Sequence, residues 1–207
     1  GIDNTPSLPL AAGLLVSSAK QHPQLSKRIH FDISVPRIPV EEAVSELQNC
    51  DLVGFSLYPW NYNYSLTVIQ ALRSRYPDIS IVLGGPSLPK RKAAIQTFLQ
   101  EHPSIDFLIL GEAEQNFTQF LLQYVNKEKY HSVPSLVYRK ESSIHITSLA
   151  SRVSEFSSSA SPYLDGTFSQ LLEKYPGFFQ MGMLETNRGC PFLCTFCDWS
   201  ITRKVME

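Results

Sequence analysis

The sequence predicts an α/β fold built on a parallel sheet with helices on both faces. Two observations support this class: short apolar runs alternate with helical stretches, and the runs are almost unbroken in apolar residues. Such alternation is typical of parallel sheets, and continuously apolar strands are typical of strands that are covered on both faces. The predicted strands span residues 51–57, 79–83 and 105–110, and the helices that follow them span residues 63–75, 90–100 and 115–125.

The elements before residue 50 are weaker. Leu8–Val16 predicts a helix, Ile29–Val35 a strand, and Val40–Gln48 a second, short helix. An open sheet of the Rossmann-like, flavodoxin-like type normally begins with a strand that becomes central. Because residues 4–9 have the composition of the loop after such a strand, we expect the first strand to precede Gly1.

The elements after residue 130 have a different pattern. Residues 136–139 and 144–147 flank a polar turn and predict a β-hairpin, and the serine-rich residues 148–161 predict a linker. Met181–Thr186 predicts one more strand, which leads into a cluster of cysteines. We therefore predict three parts: an α/β domain over residues 1–130, a hairpin and linker over residues 131–178, and the start of a second domain over residues 179–207.

Composition narrows the possible environments. The 207 residues are 43% hydrophobic and 18% charged, with a formal net charge of −1. This balance favours a packed core over disorder and argues against nucleic-acid binding. No apolar run approaches the ~20 residues that span a bilayer, so no membrane association is expected. Three of the four cysteines lie within eight residues, which indicates metal binding in a reducing, cytoplasmic compartment and not a secreted disulfide framework.

The cysteine cluster has the form C-x3-C-x2-C, with Cys190, Cys194 and Cys197. Three thiolates can hold three irons of a 4Fe-4S cluster and leave the fourth iron open to another ligand. A zinc site is an alternative, but zinc takes four ligands and the nearest histidine is His145, in the predicted hairpin. A ferredoxin-type cluster would need Cys50 as its fourth ligand, and Cys50 has the sequence context of a small buried apolar residue.

The loops after the three strands form the candidate ligand site, because ligands of open α/β sheets bind beyond the carboxyl ends of the strands. Glycines in such loops let the backbone approach a ligand, and aromatic rings and amides offer contacts. The sequence contains neither G-x-G-x-x-G nor a P-loop, which disfavours dinucleotide and nucleoside triphosphate binding. The candidate binding residues are Ser56, Tyr58, Trp60, Asn61, Gly84, Gly85, Pro86, Ser87, Gly111 and Glu112.

The cysteine motif resembles that of the radical S-adenosylmethionine (SAM) superfamily, including Phe196 before the last cysteine and the flanks 185–191 and 197–199. Together with the preceding loops, it resembles the cobalamin-dependent members of that superfamily. The matching segments are residues 53–56, 83–86, 110–114 and 161–166.

The resemblance implies three cofactors: a 4Fe-4S cluster on the three cysteines, S-adenosyl-L-methionine on the open iron, and cobalamin across the strand ends. It implies that residues 84–87 line the nucleotide tail of cobalamin and that Gly111 and Glu112 border it. Tyr58, Trp60 and Asn61 are expected near the lower face of the corrin. Trp60 packing a helix against the sheet, and residues 84–86 forming an ordinary tight turn, are the alternatives.

The sequence departs from the wider pattern of cobalamin-binding domains at the residue that would bind cobalt from below. Many cobalamin domains carry D-x-H-x-x-G, whose histidine binds cobalt from below, and this chain has no such motif. A lower histidine ligand is therefore not expected.

The resemblance implies a methyltransferase that transfers a methyl group through cobalamin to a carbon or phosphorus centre. Its expected partners are a small-molecule or peptide-derived substrate and an external electron donor of the flavodoxin or ferredoxin type. The alternatives are a module that only binds a corrinoid and a radical enzyme that rearranges its substrate without methylation. We expect this stretch of chain alone to be inactive and to hold no intact cluster, since a single predicted strand supports the cysteines.

Overall fold

A computed structural model describes most of the chain, which divides into two compact units. One unit combines residues 1–35 with residues 153–207, and the other comprises residues 36–152. The residues described are 6–34, 37–140, 143–150, 160–186, 188, 192 and 194–196. Among them, no helix is both long and apolar enough to cross a membrane.

The helices of the described residues alternate with the strands as predicted for the middle of the chain. They are α1 (Leu10–Lys20), α2 (Pro23–Arg28), α3 (Val40–Leu47), α4 (Tyr62–Arg75), α5 (Lys92–Glu101), α6 (Glu114–Asn126) and α7 (Thr167–Lys174), with a 3₁₀ turn at Tyr130–Ser132.

The unit of residues 36–152 contains a mixed five-stranded sheet in the order β1-β2-β3-β4-β5. β1, β2 and β3 are parallel, which confirms the predicted βα repeats, whereas β4 and β5 are antiparallel. The strands are β1 (Leu52–Ser56), β2 (Ser80–Gly84), β3 (Phe107–Ile109), β4 (Leu136–Lys140) and β5 (Ser143–Ile146).

The predicted hairpin is confirmed, and it extends the sheet. β4 pairs with β3, with Leu108 opposite Val137, so the sheet continues beyond residue 130. The predicted domain boundaries at residues 130 and 178 stay a prediction.

Each face of the sheet has its own core. On one face, Leu57, Ile81 and Leu83 are fully buried in a cluster that includes side chains from α3, α4 and α5. On the other face, Phe107 contacts Phe120 of α6, with ring centroids 4.9 Å apart. Burial of each large aliphatic side chain stabilises the fold by about 1.5–3 kcal/mol, so these two layers hold the strand ends rigidly in place.

Two arginines brace the connection between α5 and β3. The Arg73 guanidinium lies 2.5 Å from the Asp106 carboxylate, which also accepts a hydrogen bond of 2.7 Å from the Ile81 backbone N–H. The Arg139 guanidinium donates to the carbonyl oxygens of Leu99 and Ile105. Burial lowers the pKa of Arg139 below its usual value, against the opposing effect of Asp106.

In the other unit, which combines residues 1–35 with residues 153–207, helix α1 packs against helix α7. Leu8, Phe168 and Leu171 form its buried cluster, and Gly13 lies so close to Phe168 that an added Cβ would be 2.5 Å from the ring. An isolated parallel bridge joins Ser7 to Met181.

Two predicted strands are wrong. Residues 29–34 form no strand, and within Met181–Thr186 only Met181 makes a bridge. A strand exists only where a neighbour pairs its backbone groups, and within the described residues neither segment has a strand beside it. Within the linker, residues 151–159 lie outside the described residues.

Helix α7 was not predicted from the sequence. Its buried residues, Thr167, Phe168 and Leu171, follow helical spacing, and the Asp165 carboxylate accepts a hydrogen bond of 2.9 Å from the Thr167 backbone N–H. An acidic residue ahead of such spacing is a helix-start signal that was available in the sequence.

Candidate functional site

The three predicted binding loops lie at one edge of the sheet. β1, β2 and β3 are parallel and end at Ser56, Gly84 and Ile109, so the loops that follow them all begin at the carboxyl end of the sheet. This is the edge where open α/β sheets bind ligands. The structure therefore brings the predicted binding residues to one side of this unit.

Backbone hydrogen bonds join the loop after β1 to the loop after β2. The Leu57 N–H donates to the Gly84 carbonyl at 2.8 Å, and the Ser87 N–H donates to the Leu57 carbonyl at 3.2 Å. Gly85 lies between them with φ +101°, and an added Cβ would be 2.5 Å from the Leu57 carbonyl oxygen. Only glycine fits there, because any side chain would collide with backbone. We call residues 56–61 and 84–88 the interlocked loops.

Asn61 closes the first of these loops on itself. Its Oδ1 accepts a hydrogen bond of 2.8 Å from the Tyr58 N–H, and its Nδ2 donates one of 2.9 Å to the Ser56 carbonyl. The Asn61 N–H also donates to the Tyr58 carbonyl at 3.2 Å. The Asn61 side chain, which is predicted to contact a cofactor, thus forms hydrogen bonds to its own loop through both its oxygen and its nitrogen.

Tyr58 and Trp60 form a stacked pair of rings, in which Tyr58 is partly buried and Trp60 is exposed. Their ring centroids are 4.7 Å apart and their planes differ by 12°, which is a stacked arrangement. Trp60 is 73% exposed. The alternative that Trp60 packs a helix against the sheet is therefore wrong, and the pair offers an apolar plane at the sheet edge.

One face of β1 and β2 lacks side-chain bulk near this edge. Gly54 is opposite Val82 and Ser56 is opposite Gly84, so these residues share a face of the sheet. A Cβ added at Gly54 would lie 3.7 Å from its nearest neighbour, a methyl carbon of Val82. A Cβ added at Gly84 would lie 3.8 Å from the Ile109 carbonyl oxygen. These are ordinary contacts, so the protein's own packing does not require glycine at either position. We call Gly54, Ser56 and Gly84 the open strand face.

Gly54 was not predicted as a site residue from the sequence. Its signal was a lone glycine inside an otherwise apolar strand, a pattern that marks the close approach of a ligand or another backbone.

The third loop is held by Asn116, a residue that was not predicted from the sequence. Gly111 is exposed with φ +72°, and the Glu112 carbonyl accepts a hydrogen bond of 3.2 Å from the side chain of Asn116. Asn116 is buried in the first turn of α6. A polar residue at that place in a helix, directly after a glycine-containing loop, was the available signal.

Comparison with known proteins identifies the domain. Residues 18–121 match the B12 binding domain family. The chain belongs to this family. The predicted resemblance to cobalamin-dependent radical SAM enzymes is confirmed by the relatives that this chain matches.

Two curated relatives align with nearly the whole chain. The cobalamin-dependent radical SAM methyltransferase TokK of Streptomyces tokunonensis is 33% identical, and the 2-(S-pantetheinyl)-carbapenam-3-carboxylate methyltransferase of Streptantibioticus cattleyicolor is 32% identical, each over 96% of this chain. The chain spans 29% of the length of either relative.

Solved structures agree on the fold. The cobalamin-dependent SAM radical enzyme OxsB matches 92% of this chain with a TM-score of 0.66 and 25% identity, and the chain covers 26% of OxsB. The radical SAM methyltransferase TsrM of Kitasatospora setae matches 75% of the chain with a TM-score of 0.51 and 16% identity, which supports the fold alone.

The predicted cluster ligands lie mostly beyond the described residues. Cys190 and Cys197 lie outside them, and Cys194 is exposed. Just before the cysteines, Met183 is half exposed and Leu184 is 83% exposed. The assignment of the three cysteines to a cluster stays a prediction.

Proposed function

We propose that this chain binds cobalamin at the carboxyl ends of β1, β2 and β3. The observation that carries the proposal is the open strand face, which leaves side-chain space unfilled where the protein's own packing would accept a Cβ. Glycine within a strand costs about 0.5–1 kcal/mol relative to alanine, so its presence at Gly54 favours a role in binding. The membership of the B12 binding domain family supports the same ligand.

The residues fit this cofactor in two places. Gly84, Gly85, Pro86 and Ser87 would line its nucleotide tail beside the open strand face, while Gly111 and Glu112 would border it. Tyr58, Trp60 and Asn61 would lie at the lower face of the corrin, where the stacked rings present a plane to a flat macrocycle. When bound, cobalamin supplies a cobalt centre that can carry a methyl group and pass it on.

The lower face of the corrin would have no histidine ligand from a D-x-H-x-x-G motif, which the sequence lacks. Tyr58 and Trp60 instead offer an apolar plane. These two side chains would hold the lower face of the corrin by contact, without a histidine of that motif.

We further propose that the protein to which this chain belongs is a cobalamin-dependent radical SAM methyltransferase. Cys190, Cys194 and Cys197 would hold a 4Fe-4S cluster whose open iron binds S-adenosyl-L-methionine. The acceptor would be a carbon or phosphorus centre of a small-molecule or peptide-derived substrate. An external flavodoxin-type or ferredoxin-type donor would supply electrons in a reducing, cytoplasmic compartment. The 33% identity to TokK supports the proposal.

Titration of the chain with hydroxocobalamin tests the binding proposal. We expect saturable binding, seen as a shift of the corrin bands in the visible spectrum, with one corrin per chain. Gly54→Val should weaken this binding at least about 100-fold while leaving the far-UV circular dichroism unchanged. Absence of binding by the unmodified chain would overturn the proposal.

The proposed activity requires the longer protein that contains this chain. The protein would be reconstituted anaerobically with iron and sulfide and supplied with hydroxocobalamin and a chemical reductant in place of the electron donor. We expect one S-adenosyl-L-methionine to give its methyl group to the reduced cobalamin and leave as S-adenosylhomocysteine, and another to take an electron and yield methionine and 5′-deoxyadenosine. Deoxyadenosine without methylated product would favour a non-methylating radical enzyme. Cobalamin binding without cleavage of S-adenosyl-L-methionine would indicate that the protein is a corrinoid-binding module and not an enzyme of this class.

A further inference from the structure

The hydrogen bonds of Asn61 bear on the orientation of Trp60. Asn61 fixes the backbone of Tyr58 through its side-chain oxygen at 2.8 Å and through its own N–H at 3.2 Å. Its side-chain nitrogen anchors the same loop to the Ser56 carbonyl, at the end of β1. The loop from strand to helix is thereby closed by one side chain.

Trp60 lies inside this closed loop and is largely exposed to solvent. Its stacking partner is Tyr58, with the ring planes only 12° apart. Exposed rings ordinarily sample several rotamers, and holding the backbone beneath the pair restricts the conformations in which the two rings can stack. Asn61 holds that backbone at Tyr58 and directly precedes the first turn of α4.

We propose that Asn61 is a positioning residue that pre-organises the Tyr58–Trp60 stack as a platform for the corrin. This rests on the proposed binding of cobalamin at the same strand ends. Asn61 acts through Trp60: its side chain is bonded to the loop, and the plane it holds in place meets the cofactor. A platform that is ordered before binding spares the ligand the entropy of ordering it, and loss of that order should weaken binding about tenfold.

The test compares three variants of the chain in a Trp199→Phe background, which leaves Trp60 as the sole tryptophan. Asn61→Ala removes both side-chain hydrogen bonds. Asn61→Asp keeps an acceptor for the Tyr58 N–H and loses the donor to Ser56. Asn63→Ala is the matched control, because Asn63 is an exposed asparagine two residues further along the chain. Its backbone carbonyl, which the substitution keeps, accepts a hydrogen bond from the Thr67 hydroxyl.

The first measurement concerns the stack without ligand. Near-ultraviolet circular dichroism and Trp60 fluorescence anisotropy should report a fixed ring pair in the parent and in Asn63→Ala. We expect Asn61→Ala to lose the dichroic band and to lower the anisotropy, and Asn61→Asp to retain part of both. Unchanged spectra in folded Asn61→Ala would overturn the inference.

The second measurement is a double-mutant cycle on hydroxocobalamin binding with Asn61→Ala and Trp60→Ala. If Asn61 acts through Trp60, Asn61→Ala raises Kd about tenfold in the parent and has no further effect once Trp60 is alanine. Additive losses of affinity would contradict the inference, since they would mean that Asn61 contributes independently. If the parent itself binds no hydroxocobalamin, the proposed function fails, and the spectra of the unliganded chain still decide whether Asn61 orders the stack.

Discussion

The open strand face ends at Gly84, and the next residue, Gly85, belongs to the interlocked loops. The two adjacent glycines differ in how much space surrounds them. At Gly85, an added Cβ would be 2.5 Å from backbone oxygen, whereas at Gly84 the nearest atom would be 3.8 Å away. The first glycine is required by the protein's own fold, and the second leaves a space that the fold does not use. A glycine-rich loop therefore combines a structural requirement with a candidate ligand contact in neighbouring residues.

The largest expected effect is on Gly85. Gly85→Ala should lower the free energy of unfolding by about 3 kcal/mol, because a Cβ at φ +101° both strains the backbone and collides with Leu57. Urea unfolding followed by circular dichroism measures the change. Gly84→Ala, one residue earlier, is the control and should change stability by less than about 1 kcal/mol. Equal losses at the two glycines would remove the distinction between the regions.

Gly54→Val separates binding from stability. Valine suits a strand better than glycine, so stability should stay the same or rise by about 0.5–1 kcal/mol. Its side chain would fill the open strand face, and hydroxocobalamin affinity should fall at least about 100-fold, or about 2.8 kcal/mol. Isothermal titration and thermal unfolding of the same sample check both halves. Full affinity in the folded variant would mean that the tail does not occupy this face.

Asn61→Ala should produce a smaller loss of stability than Gly85→Ala. It leaves the Tyr58 N–H and the Ser56 carbonyl without their side-chain partners, and both residues are partly exposed, so water replaces part of what is lost. We expect the free energy of unfolding to fall by about 1 kcal/mol, measured by urea denaturation. A loss as large as that of Gly85→Ala would place Asn61 among the residues on which the whole unit depends.

Trp60→Ala should have the smallest effect on stability. The ring is 73% exposed and its described partner is the Tyr58 ring, so its removal should cost about 0.5 kcal/mol or less by thermal unfolding. Its effect on hydroxocobalamin affinity should be larger than its effect on stability. The reverse result would show that the stack belongs to the core and does not serve as a platform.

Local pattern predicted the middle of the chain well. The strands predicted at residues 51–57, 79–83 and 105–110 correspond to β1, β2 and β3. The predicted helices differ from α4, α5 and α6 by at most two residues at either end. Apolar runs, helical spacing and the breaks at proline and glycine are all set within a few residues of sequence. The order of the post-strand loops along the chain was therefore sufficient to identify the candidate site.

Other features of the site were not accessible in this way. The sequence pattern gives Gly84, Gly85 and Asn61 the same expected role at the cofactor, and it does not show that Gly85 lies against the Leu57 backbone or that Asn61 is hydrogen-bonded within its own loop. These contacts depend on distances in the folded chain, which a sequence does not contain. The predicted strand Ile29–Val35 has the same explanation: its described residues, 29–34, form no strand because no described strand lies beside them.

The sequence by itself determined the α/β class, the three βα units and the edge of the sheet that carries the site, because these follow from the periodicity of neighbouring residues. Only the tertiary structure decided that the hairpin joins the sheet, that Gly85 supports Leu57 while Gly54 and Gly84 leave space, and that Asn61 is bonded to its own loop. The first two outcomes depend on contacts between separate segments, and the third depends on the conformation of a single loop. Both kinds of contact exist only after the strands have paired and the loops have closed.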